Sequence, residues 1–193
     1  MAPKAKITKE MIVEAGFDIV KTEGLERLTA RRISEYLKCS TQPVLYYFST
    51  VEEIKSAVYQ KADEYHTNYI MNMSAEEDPL TAIGLNYIRF AKEERMLFRM
   101  LFQSDGLSKN SISGLLQSSE ELPFMELFEQ ETGGNLEDAQ DIFSTLFIFI
   151  HGYASLLANN ELEYDETELR SKLEKVWLGA VYAEREDSNE EAL

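Results

Sequence analysis

Apolar residues recur at intervals of three and four along most of this chain, and no segment alternates strictly between apolar and polar residues. The first spacing is typical of helices that bury one face, whereas half-buried strands show the second. Helix ends are marked as well: Thr8 and Thr29 can each cap the helix that follows, and Gly24 can end the first one. We therefore predict an all-α protein.

The capping residues and helix stops set the predicted boundaries. Pro43 fits the first turn of a helix, where a missing N–H costs nothing, and Ser49-Thr50-Val51-Glu52-Glu53 offers two overlapping capping boxes. Helices are predicted over residues 8–24, 30–37, 41–48, 49 onward, 79–92, 96–102, 123–132, 135–160 and 165–184. Residues 105–113 are predicted to form a loop, and residues 186–193 an acidic, frayed tail.

Only three residues, Lys38-Cys39-Ser40, separate the second and third predicted helices. Two short helices joined so tightly are typical of a helix-turn-helix, whose last helix enters the major groove of DNA. Here the last helix carries mostly polar or hydrogen-bonding side chains, and only Val44 and Phe48 form an apolar stripe. We interpret it as a recognition helix. The alternative is a helical adaptor in which this corner has only a structural role.

The run Leu28-Thr29-Ala30-Arg31-Arg32-Ile33 is followed by Leu37, Ser40, Pro43, Tyr46, Phe48 and Glu52-Glu53-Ile54. Over roughly residues 8–55 this order resembles the tetracycline-repressor (TetR) family of bacterial regulators. The resemblance implies a helix-turn-helix DNA-binding domain over residues 5–65 and a helical dimerisation and effector-binding domain over residues 66–193. It also implies a homodimer that binds a pseudo-palindromic operator in double-stranded DNA and leaves it when a small effector binds.

The resemblance further implies which residues contact DNA. Three of them suit base edges chemically: Arg31 can bind guanine O6 and N7, Gln42 can read adenine, and Pro43 can touch a thymine methyl group. The full expected set is Lys6, Thr29, Arg31, Ser40, Thr41, Gln42, Pro43, Tyr46, Tyr47 and Lys55.

The sequence departs from the family at two positions: Leu45 stands where a tyrosine is usual, and Val51 where a lysine is usual. Each departure removes a phosphate contact. We expect Tyr46, Lys55 and a basic arm to compensate for them, the arm consisting of Lys4, Lys6 and Lys9.

The net charge of −16 is unevenly distributed. Residues 1–60 contain 9 Lys and Arg against 8 Asp and Glu, a net charge of +1, and the remainder contains 10 against 27, a net charge of −17. An acidic body repels DNA except through a face that is not acidic. The charge therefore permits DNA binding by the N-terminal domain, although acidity serves solubility equally well.

The second predicted domain is rich in aromatic residues and methionine. Such a set usually forms core, but it also suits an adaptable apolar pocket, and the resemblance favours a pocket for a largely apolar effector. The expected effector residues are Tyr87, Phe90, Phe98, Phe102, Met125, Phe147 and His151. The alternative is a dimeric DNA-binding regulator that needs no ligand and is controlled by a protein partner.

Residues 135–160 are apolar on more than one side, so that one domain would leave part of this helix in water. We predict that it pairs with the last helix and with both helices of a second copy. The expected interface residues are Leu146, Ile150, Tyr153, Leu156, Leu157, Trp177, Ala180 and Val181. A membrane-spanning segment is the alternative for residues 142–158, but a buried helix of a soluble protein fits their polar members better.

No catalytic or metal-binding pattern is visible in the sequence. The two histidines, His66 and His151, lack metal-ligand spacing, and Cys39 is a lone cysteine. We therefore expect no enzymatic activity, cofactor, metal site or membrane association. A single cysteine and the lack of a secretion signal predict a cytoplasmic protein.

Overall fold

The computed structural model describes residues 7–74, 78–104, 125–132 and 136–190, and every regular element within these ranges is helical. This confirms the all-α prediction for that part of the chain. The helices are α1 (Lys9–Glu23), α2 (Ala30–Tyr36), α3 (Gln42–Tyr47), α4 (Val51–Ile70), α5 (Pro79–Glu93), α6 (Arg95–Phe102), α7 (Met125–Thr132), α8 (Leu136–Asn159) and α9 (Glu166–Glu190), and a 3₁₀ turn spans Leu25–Arg27.

The predicted caps of the first helices are confirmed. The Thr8 hydroxyl accepts a hydrogen bond from the Met11 N–H at 3.3 Å, and the Thr29 hydroxyl accepts one from the Arg32 N–H at 3.1 Å. Gly24 ends α1 with a φ of 93°, in the left-handed region that favours glycine. These short-range bonds satisfy backbone groups that a helix end would otherwise leave unpaired.

The start of α4 uses one of the two predicted capping boxes in altered form. The Thr50 hydroxyl accepts from the Glu53 N–H at 3.1 Å, as expected. The Glu53 carboxylate, however, accepts from the Ser49 N–H at 2.7 Å, one residue further back than a capping box requires. Glu53 therefore accepts from the Ser49 N–H, the donor that a capping box of Ser49 with Glu52 would give to Glu52.

The later boundaries agree with the prediction except at the end of the chain. Asp78 caps α5 by accepting from the Thr81 N–H at 2.8 Å. α9 continues to Glu190, so the frayed tail predicted from residue 186 is wrong for residues 186–190; this stretch has no glycine or proline to end a helix. The loop predicted over 105–113 lies outside the described residues, as do Gly133 and Gly134, which follow the helix predicted to end at residue 132.

The chain forms two compact units. The first comprises Met1–Asn68 and Glu94–Leu107, and the second comprises Tyr69–Glu93 and Ser108–Leu193. The single boundary predicted after residue 65 assigns all later residues to the second domain. In the structure α6 packs on α1 within the first unit instead, because it presents Leu97, Phe98 and Leu101, all 0% exposed, to that core.

The second unit is built around α5, which packs against α8 and α9. A Cβ at Gly84 would lie 3.1 Å from Ile150 Cδ1, so the glycine allows α8 to approach closely. By length and composition α8 could cross a membrane, and a third of its most apolar stretch is buried inside the protein. A single helix of this kind does not by itself indicate a membrane protein, since core helices share the property.

Candidate functional site

The corner between α2 and α3 spans five residues, 37–41, two more than the three predicted. Lys38 has a φ of 52°, in the left-handed region, which is the usual conformation of the residue after a helix. The Lys38 N–H donates to the Glu35 carbonyl at 3.2 Å, and the Cys39 N–H donates to the Ser34 carbonyl at 3.0 Å. The corner is therefore closed by backbone hydrogen bonds. Lys38 occupies a left-handed position that glycine would adopt at a lower conformational free energy.

α3 is held to the first unit by one side only. Val44 is 0% exposed and Phe48 is 3% exposed, so the predicted apolar stripe faces the core. On the remaining surface Tyr46 is 81% exposed, and its ring meets that of Tyr47 edge-on, with centroids 5.1 Å apart. Leu45 is 56% exposed, although it is aliphatic. The sequence analysis treated Leu45 only as a lost phosphate contact.

The structure leaves most of the expected DNA-contacting residues at the surface. Thr29 is exposed, although its hydroxyl oxygen also caps α2. Lys6 lies outside the described residues. The other exposed members are Arg31, Ser40, Thr41, Gln42 and Tyr46, and the half-buried members are Pro43, Tyr47 and Lys55.

Two neighbouring arginines on α2 have different surroundings. Arg32 donates through Nε to both carboxylate oxygens of Glu23, at 3.1 and 3.0 Å, which ties α2 to α1; hydrogen bonding by Arg32 lowers the pKa of Glu23. Arg31 has an 87% exposed side chain and donates to Glu35 at 3.0 Å. An exposed pair four residues apart is worth about 0.3–0.5 kcal/mol, so a phosphate or base can compete for Arg31 at little cost.

Three of the expected effector residues lie together in the second unit. The Tyr87 hydroxyl is 3.0 Å from His151 Nδ1, and the Phe147 ring stacks on the His151 ring with centroids 5.4 Å apart. His151 Nε2 is 3.3 Å from the Ser155 hydroxyl. Burial lowers the pKa of His151, so the imidazole is neutral at pH 7. We call Tyr87, Phe147, His151 and Ser155 the histidine cluster.

The other expected effector residues are divided between the two units. Phe90 is 0% exposed and packs edge-on against Tyr69, and Met125 is 2% exposed; both belong to the second unit. Phe98 and Phe102 belong to the first unit, where the Phe102 ring lies 5.1 Å from that of His66. Placing these two in the second domain was wrong, because the apolar face of α6 packs on α1.

The expected interface residues divide into three groups by their exposure. Leu146 and Leu157 are 6% and 0% exposed, so they are buried in the core of their own chain and have almost no surface for a partner. Leu156, in contrast, is 53% exposed. The half-buried members are Ile150, Tyr153, Trp177, Ala180 and Val181.

The sequence analysis missed the most exposed apolar residues of α8 and α9. Ile148 on α8 is 57% exposed, and Leu178 and Tyr182 on α9 are 65% and 64% exposed. Ile148, Gly152 and Leu156 repeat every four residues and so share one side of α8. No described atom lies within 4 Å of a Cβ built at Gly152 or at Gly179. The spacing itself was the available signal, since residues four apart line one helix face.

No group of three or more His, Cys, Asp or Glu side chains within the described ranges is arranged to hold a metal ion. The sequence matches no protein-family model and no curated protein.

Proposed function

We propose that this chain is a homodimeric, DNA-binding transcriptional regulator with a TetR-like arrangement, a cytoplasmic repressor that a small, largely apolar effector releases from its operator. In this proposal residues 5–65 form the DNA-binding domain. The observation that carries it is α3. This short helix follows a five-residue corner closed by backbone hydrogen bonds, is anchored through Val44 and Phe48, and exposes Gln42 and Tyr46.

The exposed side chains of α3 are more easily explained by a nucleic-acid partner than by a structural corner. An adaptor corner would leave Tyr46 with no role, yet its ring is 81% exposed and its hydroxyl can donate to a phosphate or a base. Gln42, one turn away, presents the side chain that pairs with adenine in the major groove. The Arg31 side chain pairs with the Glu35 carboxylate, which is itself half exposed.

The charge distribution supports DNA binding by this unit alone. The first 60 residues have a net charge of +1, and the remaining residues a net charge of −17. Phosphate repulsion therefore orients the protein so that its N-terminal domain approaches DNA. Because the nine Lys and Arg of this segment are nearly balanced by eight Asp and Glu, we expect a shallow dependence of affinity on salt.

A second copy of the chain is the proposed partner of the exposed apolar residues on α8 and α9. Ile148, Leu156, Leu178 and Tyr182 are each more than half exposed, and Gly152 leaves room for a neighbouring backbone. In a two-fold dimer each of these side chains would be buried at two places, once from each copy. The same axis would present two copies of α3 to two half-sites about one turn of DNA apart.

The histidine cluster is the proposed effector contact. Neutral His151 and the Tyr87 hydroxyl are a small polar pair beside aromatic rings, which fits an apolar ligand with one hydrogen-bonding group. One observation favours the ligand-independent alternative, in which a protein partner controls the regulator: Tyr87 and His151 already satisfy each other at 3.0 Å.

The test is selection of duplex DNA from a random pool by the purified protein, followed by titration at fixed salt. Gln42→Ala should weaken the selected site by about 1–3 kcal/mol and relax one base position. Tyr46→Phe removes one hydroxyl and should also weaken binding. Tyr36→Phe is the matched control and should bind as the wild type does, because the Tyr36 hydroxyl donates to Asp18 at 2.8 Å. If no duplex is enriched, or if both Gln42→Ala and Tyr46→Phe bind as the wild type does, the proposal is wrong.

A further inference from the structure

Leu45 shares the exposed surface of α3 with the residues proposed to read DNA. It lies three positions after Gln42, and Tyr46 lies four positions after Gln42, so the three side chains are neighbours on the helix surface. Leu45 is 56% exposed and Tyr46 is 81% exposed. A single exposed leucine needs no explanation elsewhere on a protein, but here it lies within the proposed reading surface.

The major groove offers an aliphatic side chain one distinctive partner. Thymine carries a C5 methyl group there, whereas guanine presents two acceptors and cytosine a donor that leucine cannot satisfy. α3 contains no charged residue, so it cannot make the arginine–guanine contact that most often specifies a G·C pair. Gln42 suits adenine, because its side-chain amide can form two hydrogen bonds, to adenine N6 and N7, as arginine does with guanine O6 and N7.

We infer that Leu45 is a specificity-determining residue that reads a thymine methyl group, so that α3 selects A·T pairs at the centre of each half-site. This inference rests on the proposed function and adds the class of base pair that the site takes. Removing one methyl from an apolar contact costs about fourfold in affinity, which is the expected size of the effect.

The experiment uses the full-length protein and its selected operator. Each thymine is replaced singly by uracil, which removes the C5 methyl and leaves base pairing intact, and affinities are measured at one salt concentration. For the wild type, uracil should weaken binding about fourfold at one or two positions of each half-site. Leu45→Ala should bind the thymine and uracil forms of those positions equally, and it should keep the wild-type response at every other thymine.

Leu162→Ala is the matched control, since Leu162 is 45% exposed and lies in the second unit; it should retain the full uracil response. Because Leu45 is exposed, thermal unfolding of Leu45→Ala should match that of the wild type. Operator binding with an unchanged uracil profile in Leu45→Ala overturns this inference and leaves the proposed function standing. Failure to select any operator removes both.

Discussion

Lys21 Nζ lies 2.6 Å from Glu94 Oε1, and the Tyr65 hydroxyl donates to the same carboxylate oxygen at 2.9 Å. Lys21 is on α1, Tyr65 is on α4, and Glu94 immediately precedes α6. The Glu94 side chain is only 12% exposed, and Lys21 also donates to the Tyr65 hydroxyl at 3.1 Å. One carboxylate thus connects three helices of the first unit, across 73 residues of sequence in the case of Lys21.

Replacing Glu94 should destabilise the first unit more than the loss of a surface ion pair would. Glu94→Ala leaves the Lys21 ammonium and the Tyr65 hydroxyl without their shared acceptor. We expect the free energy of unfolding to fall by about 1–2 kcal/mol, a value kept small because Lys21 is one-third exposed and water screens its charge. Urea unfolding followed by circular dichroism measures it. Glu35→Ala, which breaks the exposed pair with Arg31, is the control and should cost about 0.5 kcal/mol or less. Equal losses in the two variants would contradict this account.

Lys38→Gly should stabilise the corner between α2 and α3. A left-handed conformation costs a residue with a Cβ about 1 kcal/mol, and glycine escapes this cost although it loses more backbone freedom on folding. We expect a net gain of about 0.5 kcal/mol in the free energy of unfolding. Lys38→Ala removes the same charge but keeps the strain, and it should gain nothing. A gain shared by both variants would point to charge instead of backbone conformation.

Protonation of His66 should make stability depend on pH in a defined window. Burial lowers the pKa of His66 to about 4, whereas the pKa of this histidine in the unfolded chain is near 6.5. Between these two pH values the unfolded chain binds a proton and the folded chain does not, so acid favours unfolding. Stability from this histidine is complete above pH 6.5 and is lost as the pH falls toward 4. At pH 5 the loss is about 2 kcal/mol.

The measurement is the free energy of unfolding at pH 7 and pH 5 for the wild type and for His66→Phe. The phenylalanine ring preserves the edge-on contact with Phe102 and cannot be protonated. The variant should lose about 2 kcal/mol less than the wild type between the two pH values. If the two proteins lose equal stability over this interval, His66 is not the group that titrates.

A charge on the exposed apolar residues of α8 should separate the proposed dimer. Leu156→Glu removes a leucine contact worth about 1.5–3 kcal/mol at two symmetric places, so the dimer dissociation constant should rise at least about a hundredfold. Sedimentation velocity at micromolar concentration distinguishes dimer from monomer. Leu162→Glu, at a leucine of similar exposure between α8 and α9, should remain dimeric. A wild-type protein that sediments as a monomer would refute the proposed partner.

Local chemistry determined the features that were predictable from the sequence. The caps at Thr8, Thr29 and Asp78, and the helix end at Gly24, involve residues at most four apart, so their hydrogen bonds follow from the order of side chains. The same holds for the stripe of Val44 and Phe48, because most other side chains of α3 can form hydrogen bonds and only one side of so short a helix can be buried. Once that side is known, the exposure of Gln42 and Tyr46 follows.

Only the tertiary structure decided which of several apolar surfaces meets which partner. α6 has no sequence mark that assigns it to α1, and its position depends on contacts such as that between Lys21 and Glu94. α8 is apolar on nearly every side, so periodicity cannot tell which side faces the core. Leu157 is fully buried while its neighbour Leu156 is 53% exposed, because packing against α5 and α9 covers one side of this helix and leaves the other uncovered.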